Sequence, residues 1–271
     1  MNRKAESFAL RRRILETVYN AGMGHIGGDF SVCDILCAVY EHMEMTPQHF
    51  EQPEHDRFVL SKGHTAETLY NILADRGFFP HSLLKEYCRY ESELFGHPSN
   101  HVPGVEMCSG SLGHGLPVAV GMALAAKMDN AEWRVYTVMG DGELAEGSVW
   151  EAAMLASHNK LGNLTAVIDR NGLQISGTTE AVLSHENLAE RWRAFGWHVL
   201  EADGHDYNAL EAALKKANEQ KDAPTVIIAN TIKGYGVSFM EDKAAWHHKI
   251  PTREEYEAAI AELSGKELAA L

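Results

Sequence analysis

From residue 135 onward, the sequence alternates between short apolar runs and helix-length segments, and this alternation constrains the fold more than any other feature. The predicted strands are the apolar runs Val135–Met139, Leu164–Asp169, His198–Leu200 and Thr225–Ala229. The predicted helices between them are Ser148–Leu161, Asn187–Phe195 and Tyr207–Gln220. Strands that are apolar throughout and joined by helices indicate a parallel sheet with helices on both faces. The sequence therefore predicts an α/β fold with a mostly parallel sheet.

The first half of the chain supplies further elements of the same kind. Ala5–Tyr19 predicts an amphipathic helix, and Ser31 is expected to cap a second helix. Phe58–Leu60 is a short predicted strand, and a helix is expected to begin at Thr65. Leu116–Lys127 is small and apolar on all sides, which is typical of a buried helix.

The composition excludes several classes of protein. With 24 basic and 38 acidic residues, the net charge of −14 argues against nucleic acid as a partner. The longest apolar run, Leu116–Ala126, is shorter than the roughly 20 residues of a membrane span, and no signal-peptide pattern opens the sequence. The four cysteines lack zinc-site spacing, and Cys33 and Cys37 are expected to be buried thiols. We expect a cytoplasmic protein with a single domain over residues 1–271.

Polar residues follow two predicted strands that are consecutive in the chain. Asp141 comes just after the first of them, within the stretch GDGELAEG, and Asn171 comes just after the second. A helical crossover places such strand ends side by side. A carboxylate, an amide oxygen and a backbone carbonyl suit Mg²⁺ or Ca²⁺, and Gly140 and Gly142 let the backbone approach a phosphate. Each motif alone is more often an ordinary turn, but together they predict a metal and diphosphate site.

These residues resemble a known family. Gly140-Asp141-Gly142, followed thirty positions after the aspartate by Asn171, is similar to the thiamine diphosphate motif, and GDGELAEGSVWEA and NLTAVIDRNGLQISG resemble transketolases specifically. The resemblance covers nearly the whole chain, through the blocks GHIGGDFS, DRFVLSKGH, FGHPS, GSLGHGLPVAVGMALA and WHHKIP. It implies a thiamine diphosphate-binding fold, with thiamine diphosphate and Mg²⁺ as cofactors (Ca²⁺ can substitute). The implied activity is transfer of a two-carbon ketol group between sugars or sugar phosphates.

The resemblance also assigns roles to individual residues. It implies that the metal is held by Asp141, Asn171 and the main-chain oxygen of Leu173. The implied cofactor contacts come from His64, Gly110, Leu112, Gly142, Glu146, Asn171 and His247. Glu146 matches a family position at the contact between subunits, although the alternative is an ordinary first-turn acid favoured by the helix dipole.

Fifteen histidines are many for this length, and five lie in short loops marked by glycine or proline. The five are His25, His64, His97, His114 and His247. Neutral imidazole donates and accepts hydrogen bonds and exchanges protons near pH 7, which suits a sugar substrate. By the resemblance, His25 and His97 line the substrate channel, whereas His64 and His247 lie over the diphosphate and the reacting centre. These four are the predicted catalytic residues, and less is expected of His114. The histidines expected to be inert at the surface are His49, His55, His185 and His205.

Two positions depart from the family pattern. Many transketolases have Gly-His-Pro where this chain has Gly24-His25-Ile26, and His248 takes a place often held by glycine. Both positions flank the predicted substrate channel. The identity of the sugar donor and acceptor therefore stays open, whereas the cofactor does not.

The resemblance ends near Pro251, and the remaining segment, Glu254–Leu271, predicts a single helix rich in Ala, Glu and Leu. In the family, a glutamate that activates the cofactor lies on a separate pyrimidine-binding domain, for which these residues leave no room. The chain is therefore predicted to be the N-terminal subunit of a split transketolase, active with a C-terminal pyrimidine-domain subunit in an α₂β₂ complex. Its predicted contacts are Leu116–Lys127 and the segment around Glu146. Two alternatives stay open: the α subunit of a 2-oxo acid dehydrogenase, and a non-catalytic subunit that binds the cofactor.

Overall fold

Helices and strands alternate along the described part of the chain, residues 2–185 and 187–271 of a computed structural model. The α-helices are α1 (Arg3–Ala21), α2 (Ile26–His42), α3 (Pro47–Phe50), α4 (Ala66–Asp75), α5 (Gly115–Met128), α6 (Gly147–His158), α7 (Thr179–Leu183), α8 (Leu188–Ala194), α9 (Tyr207–Glu219) and α10 (Arg253–Ala269). The strands are β1 (Arg57–Leu60), β2 (Val135–Gly140), β3 (Leu164–Arg170), β4 (Leu173–Gln174), β5 (Gly177–Thr178), β6 (His198–Asp203) and β7 (Thr225–Asn230). Short 3₁₀ helices cover Gly63–Thr65, His81–Glu86, Gly142–Ala145 and Ala244–His247.

The main sheet is parallel, and within the described residues its strand order is β1-β2-β3-β7-β6. β2 and β3 are neighbours in a register that runs from Val135 opposite Leu164 to Gly140 opposite Asp169. Their carboxyl ends therefore lie side by side, as the sequence predicts. β4 and β5 form a small antiparallel hairpin directly after β3. The prediction of an α/β fold with a mostly parallel sheet is confirmed.

Helices cover both faces of this sheet because successive side chains of each strand point to opposite faces. On β7, Val226 and Ile228 belong to one apolar core, whereas Ile227 and Ala229 belong to the other. The helices α1, α2, α4, α9 and α10 pack on one side, and α5, α6 and α8 pack on the other. Among the described helices, none combines the length and the apolar character that a bilayer crossing requires.

Two expectations about helices are wrong. Ser31 does not cap α2, because the helix begins five residues earlier at Ile26. The Ser31 hydroxyl lies instead within hydrogen-bond distance of Gly28 O (2.9 Å) and Asp169 Oδ2 (2.6 Å), so the serine ties the helix to the end of β3. The helix α5 is buried on one side only, since Val118 is 38% exposed.

Three of the four histidines expected to be inert at the surface have largely buried side chains. His185 is 5% exposed, and the side chains of His55 and His205 are 9% and 8% exposed. His205 stacks on Tyr235 with ring centroids 3.7 Å apart, and its Nδ1 lies 2.8 Å from Asp34 Oδ2. Partners such as these lie far away in sequence, so the local pattern around each histidine does not indicate burial.

Candidate active site

Asp141 connects the ends of β2 and β3. It directly follows β2, and its Oδ1 and Oδ2 accept hydrogen bonds from the backbone N–H groups of Gly142 (2.9 Å) and Gly172 (2.6 Å). Asn171 directly follows β3, and its Oδ1 accepts from the N–H of Leu173 (3.1 Å). The three residues predicted to hold a metal therefore lie together at one point of the sheet edge.

The carboxyl group of Asp141 has a raised pKa. Burial, and then the charge of Asp169, raise the pKa of Asp141 to about 6. A cation bound beside Asp141 would favour its ionised form. Within the described residues, no group of three or more His, Cys, Asp or Glu side chains could hold a metal ion. The predicted ligands are different, because they combine a single carboxylate with an amide oxygen and a main-chain carbonyl oxygen. They are therefore not a cluster of three such side chains.

Two buried lysines lie at the neighbouring strand ends, and sequence reasoning missed both. Lys62, two residues after β1, pairs with Asp169. Lys233, three residues after β7, is 2% exposed, and burial followed by the charge of Lys62 lowers its pKa to about 8. The one sequence feature that could have identified these lysines is their position, since each precedes a glycine just after a strand of the parallel sheet. Buried cations at this edge suit an anionic ligand such as a diphosphate.

The hairpin after β3 forms one wall of a narrow cradle. A Cβ on Gly142 would lie 3.0 Å from the Cβ of Gln174, so any larger residue at 142 would press on the hairpin. The Gln174 Nε2 is buried and has no hydrogen-bond partner within the described residues. Leaving a buried donor unpaired costs about 1–3 kcal/mol. An acceptor-rich group placed in this cradle would remove that cost.

The four predicted catalytic histidines come together beside the cradle. The ring centroid of His25 lies 5.3 Å from that of His64, 6.0 Å from that of His97 and 5.7 Å from that of His247. His64 and His247 are 5.4 Å apart. His248, one of the two departures from the family pattern, lies closer still to His25, at 4.4 Å.

These histidines are neutral at pH 7. Burial, and then the nearby His248 and His97, lower the pKa of His25 to about 4. Burial, and then the charge of Lys233, lower the pKa of His247 to about 3. Burial also lowers the pKa of His64 and of His97. The Nδ1 atoms of His25 and His247 are buried without a hydrogen-bond partner in the described structure, so each can engage a ligand.

The segment before α5 forms the other wall. Gly110 has a φ of +134°, and a Cβ there would lie 2.6 Å from His97 Cδ2, so this glycine allows the imidazole to pack closely. Leu112 is half-buried, and its carbonyl oxygen lies 3.2 Å from Nδ1 of the exposed His114. Within the described residues, no ring contact joins His114 to the other four histidines. Glu146 is exposed beside the cradle.

Glu143, which sequence reasoning also missed, ties these segments together. Its Oε1 accepts hydrogen bonds from the Ser61 hydroxyl and from the N–H of Gly113 (2.8 Å), and its Oε2 accepts from the N–H of Gly140 (3.2 Å). One buried carboxylate therefore links the ends of β1 and β2 to the segment before α5. In the sequence, Glu143 is indistinguishable from any acid in a first helical turn.

Comparison with known proteins places these features in one family. Residues 3–265 match the family described as "Transketolase, thiamine diphosphate binding domain". The chain is 48% identical to a protein of Phocaeicola vulgatus named as one subunit of apulose-4-phosphate transketolase, over 94% of this chain and 91% of that protein. It is 44% identical to the 6-deoxy-6-sulfo-D-fructose transketolase subunit SqwG of a Clostridium species, over 94% of this chain and 93% of that protein.

The solved structure of a transketolase from Campylobacter jejuni superposes on this chain with a TM-score of 0.88 at 28% identity. The match covers 100% of this chain and 46% of that one, so the chain spans less than half of the full-length enzyme. The relatives that match over nine-tenths of their own length are instead named as subunits. The chain belongs to the transketolase family and carries its thiamine diphosphate-binding domain.

Proposed function

We propose that this chain is the diphosphate-binding subunit of a split transketolase, which transfers a two-carbon ketol group from a ketose or ketose phosphate to an aldose or aldose phosphate. The observation that carries this proposal is the meeting of four neutral histidines with the Asp141 cradle at one edge of the sheet. The names of the relatives support the two-subunit organisation, because those proteins have nearly the same length as the matched region.

In this proposal the cofactor is thiamine diphosphate with Mg²⁺, for which Ca²⁺ can substitute. Asp141, Asn171 and the main-chain oxygen of Leu173 are the metal ligands, a set of hard oxygen donors that suits either ion. The unpaired Gln174 Nε2 and the buried Lys233 ammonium fit an anionic diphosphate placed against Gly142. The further proposed cofactor contacts are His64, Gly110, Leu112, Glu146, Asn171 and His247.

Thiamine diphosphate, when bound, supplies a nucleophilic carbon that stabilises the carbanion left when a bond next to a carbonyl breaks. This chain supplies binding, orientation and proton transfer. A neutral His25 or His97 can accept the proton of a substrate hydroxyl as the carbon–carbon bond breaks and return it to the new alkoxide. The buried Nδ1 of His25 is unpaired and therefore available for such a contact.

A bound cofactor would also change the electrostatic field at these histidines. Burial, and to a smaller extent the charges of Lys62 and Lys233, keep the pKa of His25 and His247 low in the protein alone. A diphosphate held beside Lys233 would oppose the field of both lysines and so would raise the two pKa values from these low levels. General acid–base catalysis is most efficient when the pKa lies near the working pH.

The proposed partner is a C-terminal pyrimidine-domain subunit in an α₂β₂ complex. One face of α5 exposes small and apolar residues at helical spacing, and α6, which packs against α5, exposes two apolar residues of its own. The exposed residues are Val118, Gly121, Ala125 and Met128 on α5 and Met154 and Leu155 on α6. Obligate interfaces commonly bury more than about 2,000 Å². Closed two-fold symmetry is the usual arrangement of such assemblies. Glu146 directly precedes α6 and so lies on the same side of the cradle as that helix.

Two further parts of the proposal concern the chain as a whole. We propose that residues 1–271 form a single domain, because both apolar cores are built on the same sheet. We also propose that the complex works in the cytoplasm. The four cysteines of this chain are free, and Cys33 is buried, which is compatible with a reducing compartment.

Reconstitution tests the proposal. Ketol transfer from a ketose phosphate to an aldose phosphate is measured for this chain alone, for a pyrimidine-domain partner alone and for the mixture, each with thiamine diphosphate and Mg²⁺. Only the mixture is expected to be active, and a mixture containing Asp141→Ala is expected to assemble without activity. Ketol transfer by this chain alone at enzymatic rates would contradict the split-subunit proposal.

A further inference from the structure

Two buried carboxyl groups lie behind the histidine cluster and have no part in the chemistry described above. Asp29 lies in the first turn of α2, four residues after His25, and Glu67 lies in the first turn of α4, three residues after His64. Both side chains are fully buried. An acid therefore stands behind each of the two helix starts that present these histidines.

The hydrogen bonds around these carboxyl groups leave one oxygen of each group without a partner. Asp29 Oδ1 accepts from the N–H (3.1 Å) and the hydroxyl (2.8 Å) of Thr68, and Glu67 Oε1 accepts from the Tyr87 hydroxyl (2.7 Å). Asp29 Oδ2 and Glu67 Oε2 are buried without a hydrogen-bond partner in the described structure, and Thr68, which binds Asp29, directly follows Glu67 in the chain. A carboxylate oxygen only accepts, so a proton held by one of the two groups would give both of these oxygens a partner.

The electrostatics indicate which group holds that proton. Burial, and then the charge of Asp29, raise the pKa of Glu67 well above its ordinary value. Burial raises the pKa of Asp29 to about 7, and the hydrogen bonds from Thr68 oppose that rise. The charge of Asp29 thus favours a proton on Glu67, whereas the Thr68 hydrogen bonds favour the ionised form of Asp29, which makes Glu67 the donor of the pair.

We propose that Asp29 and Glu67 share one proton and act as positioning residues for the channel histidines, an inference that rests on the proposed function. The pair joins the starts of α2 and α4, and so fixes the distance between the His25 and His64 rings. Loss of the shared proton leaves two like charges facing each other in a buried site. Their repulsion separates the two helix starts and displaces the imidazoles.

The pair also contacts the segments that hold the other channel residues. A Cβ on Gly24 would lie 2.5 Å from Glu67 Oε1, so this carboxyl group packs on the residue that precedes the first channel histidine. The Tyr87 ring lies 6.2 Å from the Tyr70 ring, and the Tyr70 hydroxyl donates to the carbonyl oxygen of His97 (3.0 Å). A change at the pair thus reaches three of the four histidines.

The groups that face the pair come from several elements. Lys62, from the segment after β1, interacts with Asp29 and favours its charged form. The other titratable groups nearby are Tyr70 on α4, Tyr87 and Cys88 after the 3₁₀ helix His81–Glu86, and His25 and His64 at the starts of α2 and α4. Burial raises the pKa of both tyrosines and of Cys88 and lowers that of both histidines. Because these shifts favour the neutral forms of the tyrosines, the cysteine and the histidines, the shared proton decides the charge of the pair.

The test compares two substitutions at one position in the reconstituted complex. Glu67→Gln keeps a donor toward Asp29 but cannot ionise, so kcat/KM is expected to stay close to wild type at pH 7 and to persist at alkaline pH, where wild-type activity falls. Glu67→Ala leaves Asp29 as an unpaired buried charge, and kcat/KM is expected to fall by about 10²-fold, the usual effect of a displacement near 1 Å. Asp75→Asn, at the far end of α4, is the matched control and is expected to follow wild type at every pH.

Thermal unfolding of the chain from about pH 6 to about pH 9 gives a second readout that does not require ketol transfer. Because the pKa of Glu67 is raised in the folded state, the folded chain binds more protons than the unfolded chain. Wild-type stability therefore falls as the pH rises through the folded pKa, and Glu67→Gln is expected to remove this part of the slope. An unchanged slope in Glu67→Gln, or wild-type activity in Glu67→Ala, would overturn the inference. An inactive wild-type complex would contradict the proposed function instead. In that case, the dependence of stability on pH in wild type and Glu67→Gln would still test whether the two carboxyl groups share a proton.

Discussion

Replacing Gly110 with alanine tests whether the placement of His97 controls the reaction. Gly110 has a φ of +134°, and a Cβ there would lie 2.6 Å from His97 Cδ2 and 2.9 Å from His97 Cγ. Carbon atoms in ordinary contact lie about 3.5 Å apart, so the imidazole must move by about 1 Å. A displacement of this size costs on the order of 10²-fold in rate, and we expect kcat/KM to fall by that factor.

The same substitution has a predictable effect on stability. A residue with a side chain in such a backbone conformation costs about 1–3 kcal/mol, and in a chain of this size each kcal/mol lowers Tm by about 2–4 °C. Gly265→Ala is the matched control, because this glycine lies inside α10 and a Cβ there would have nothing within 4 Å. Alanine is expected to stabilise that helix by up to about 1 kcal/mol and to leave kcat/KM unchanged.

The assay is ketol transfer by the reconstituted complex at saturating thiamine diphosphate, with Tm measured on the same preparations. Trp150, whose Nε1 donates to Leu144 O (2.9 Å) just beyond the cradle, provides a fluorescence signal for cofactor binding. A Gly110→Ala complex that binds cofactor normally and keeps wild-type kcat/KM would refute the argument from His97 placement.

Three further predictions follow from the site. Asp141→Ala is expected to abolish Mg²⁺-dependent binding of thiamine diphosphate while the fold persists, and unchanged affinity in calorimetry on the reconstituted complex would contradict the metal site. His97→Ala is expected to lower kcat/KM by about 10²-fold or more with cofactor affinity nearly intact, whereas lost binding with normal turnover per bound cofactor would reassign the residue. The pKa of His25 is lowered to about 4, so the folded chain binds fewer protons than the unfolded chain below about pH 6.5 and loses stability as the pH falls through that range. His25→Gln is expected to lose less stability than wild type between about pH 6.5 and about pH 4 in thermal unfolding, and equal losses would contradict a buried, neutral His25.

The sequence predicts the strands of this fold better than their order. Apolar runs such as Val135–Met139 and Thr225–Ala229 mark buried strands to within one residue at each end. The pairing of β2 with β3 was also predictable, since consecutive parallel strands joined by a helix are usually neighbours. The insertion of β7 between β3 and β6 was not, because apolar periodicity shows that a strand is buried without specifying what lies beside it.

Side-chain environments set a second limit. The channel histidines could be identified as a group from their loop positions and the family resemblance, whereas Lys62 and Lys233 could not, since lysine is almost never fully buried without a partner. The pairing of Asp29 with Glu67 could not be predicted from the sequence for a different reason. An acid in the first turn of a helix is an ordinary dipole interaction, and only the packing of α2 against α4 brings the two carboxyl groups together.

Charge balance explains why the proposed metal belongs beside Asp141. At the strand ends, Lys62 is offset by Asp169, so Lys233 is the buried lysine left to oppose an anionic ligand. A diphosphate carries more negative charge than one lysine can neutralise, and Asp141 adds a further negative charge when it ionises. A divalent cation held by Asp141 would compensate both charges and would favour the ionised form of Asp141 against the burial that raises its pKa. Burial is the main reason that the imidazoles do not titrate near pH 7, and for His25 and His247 the two lysines add to it. A bound diphosphate would therefore change the electrostatic field at these histidines as well as at the metal site.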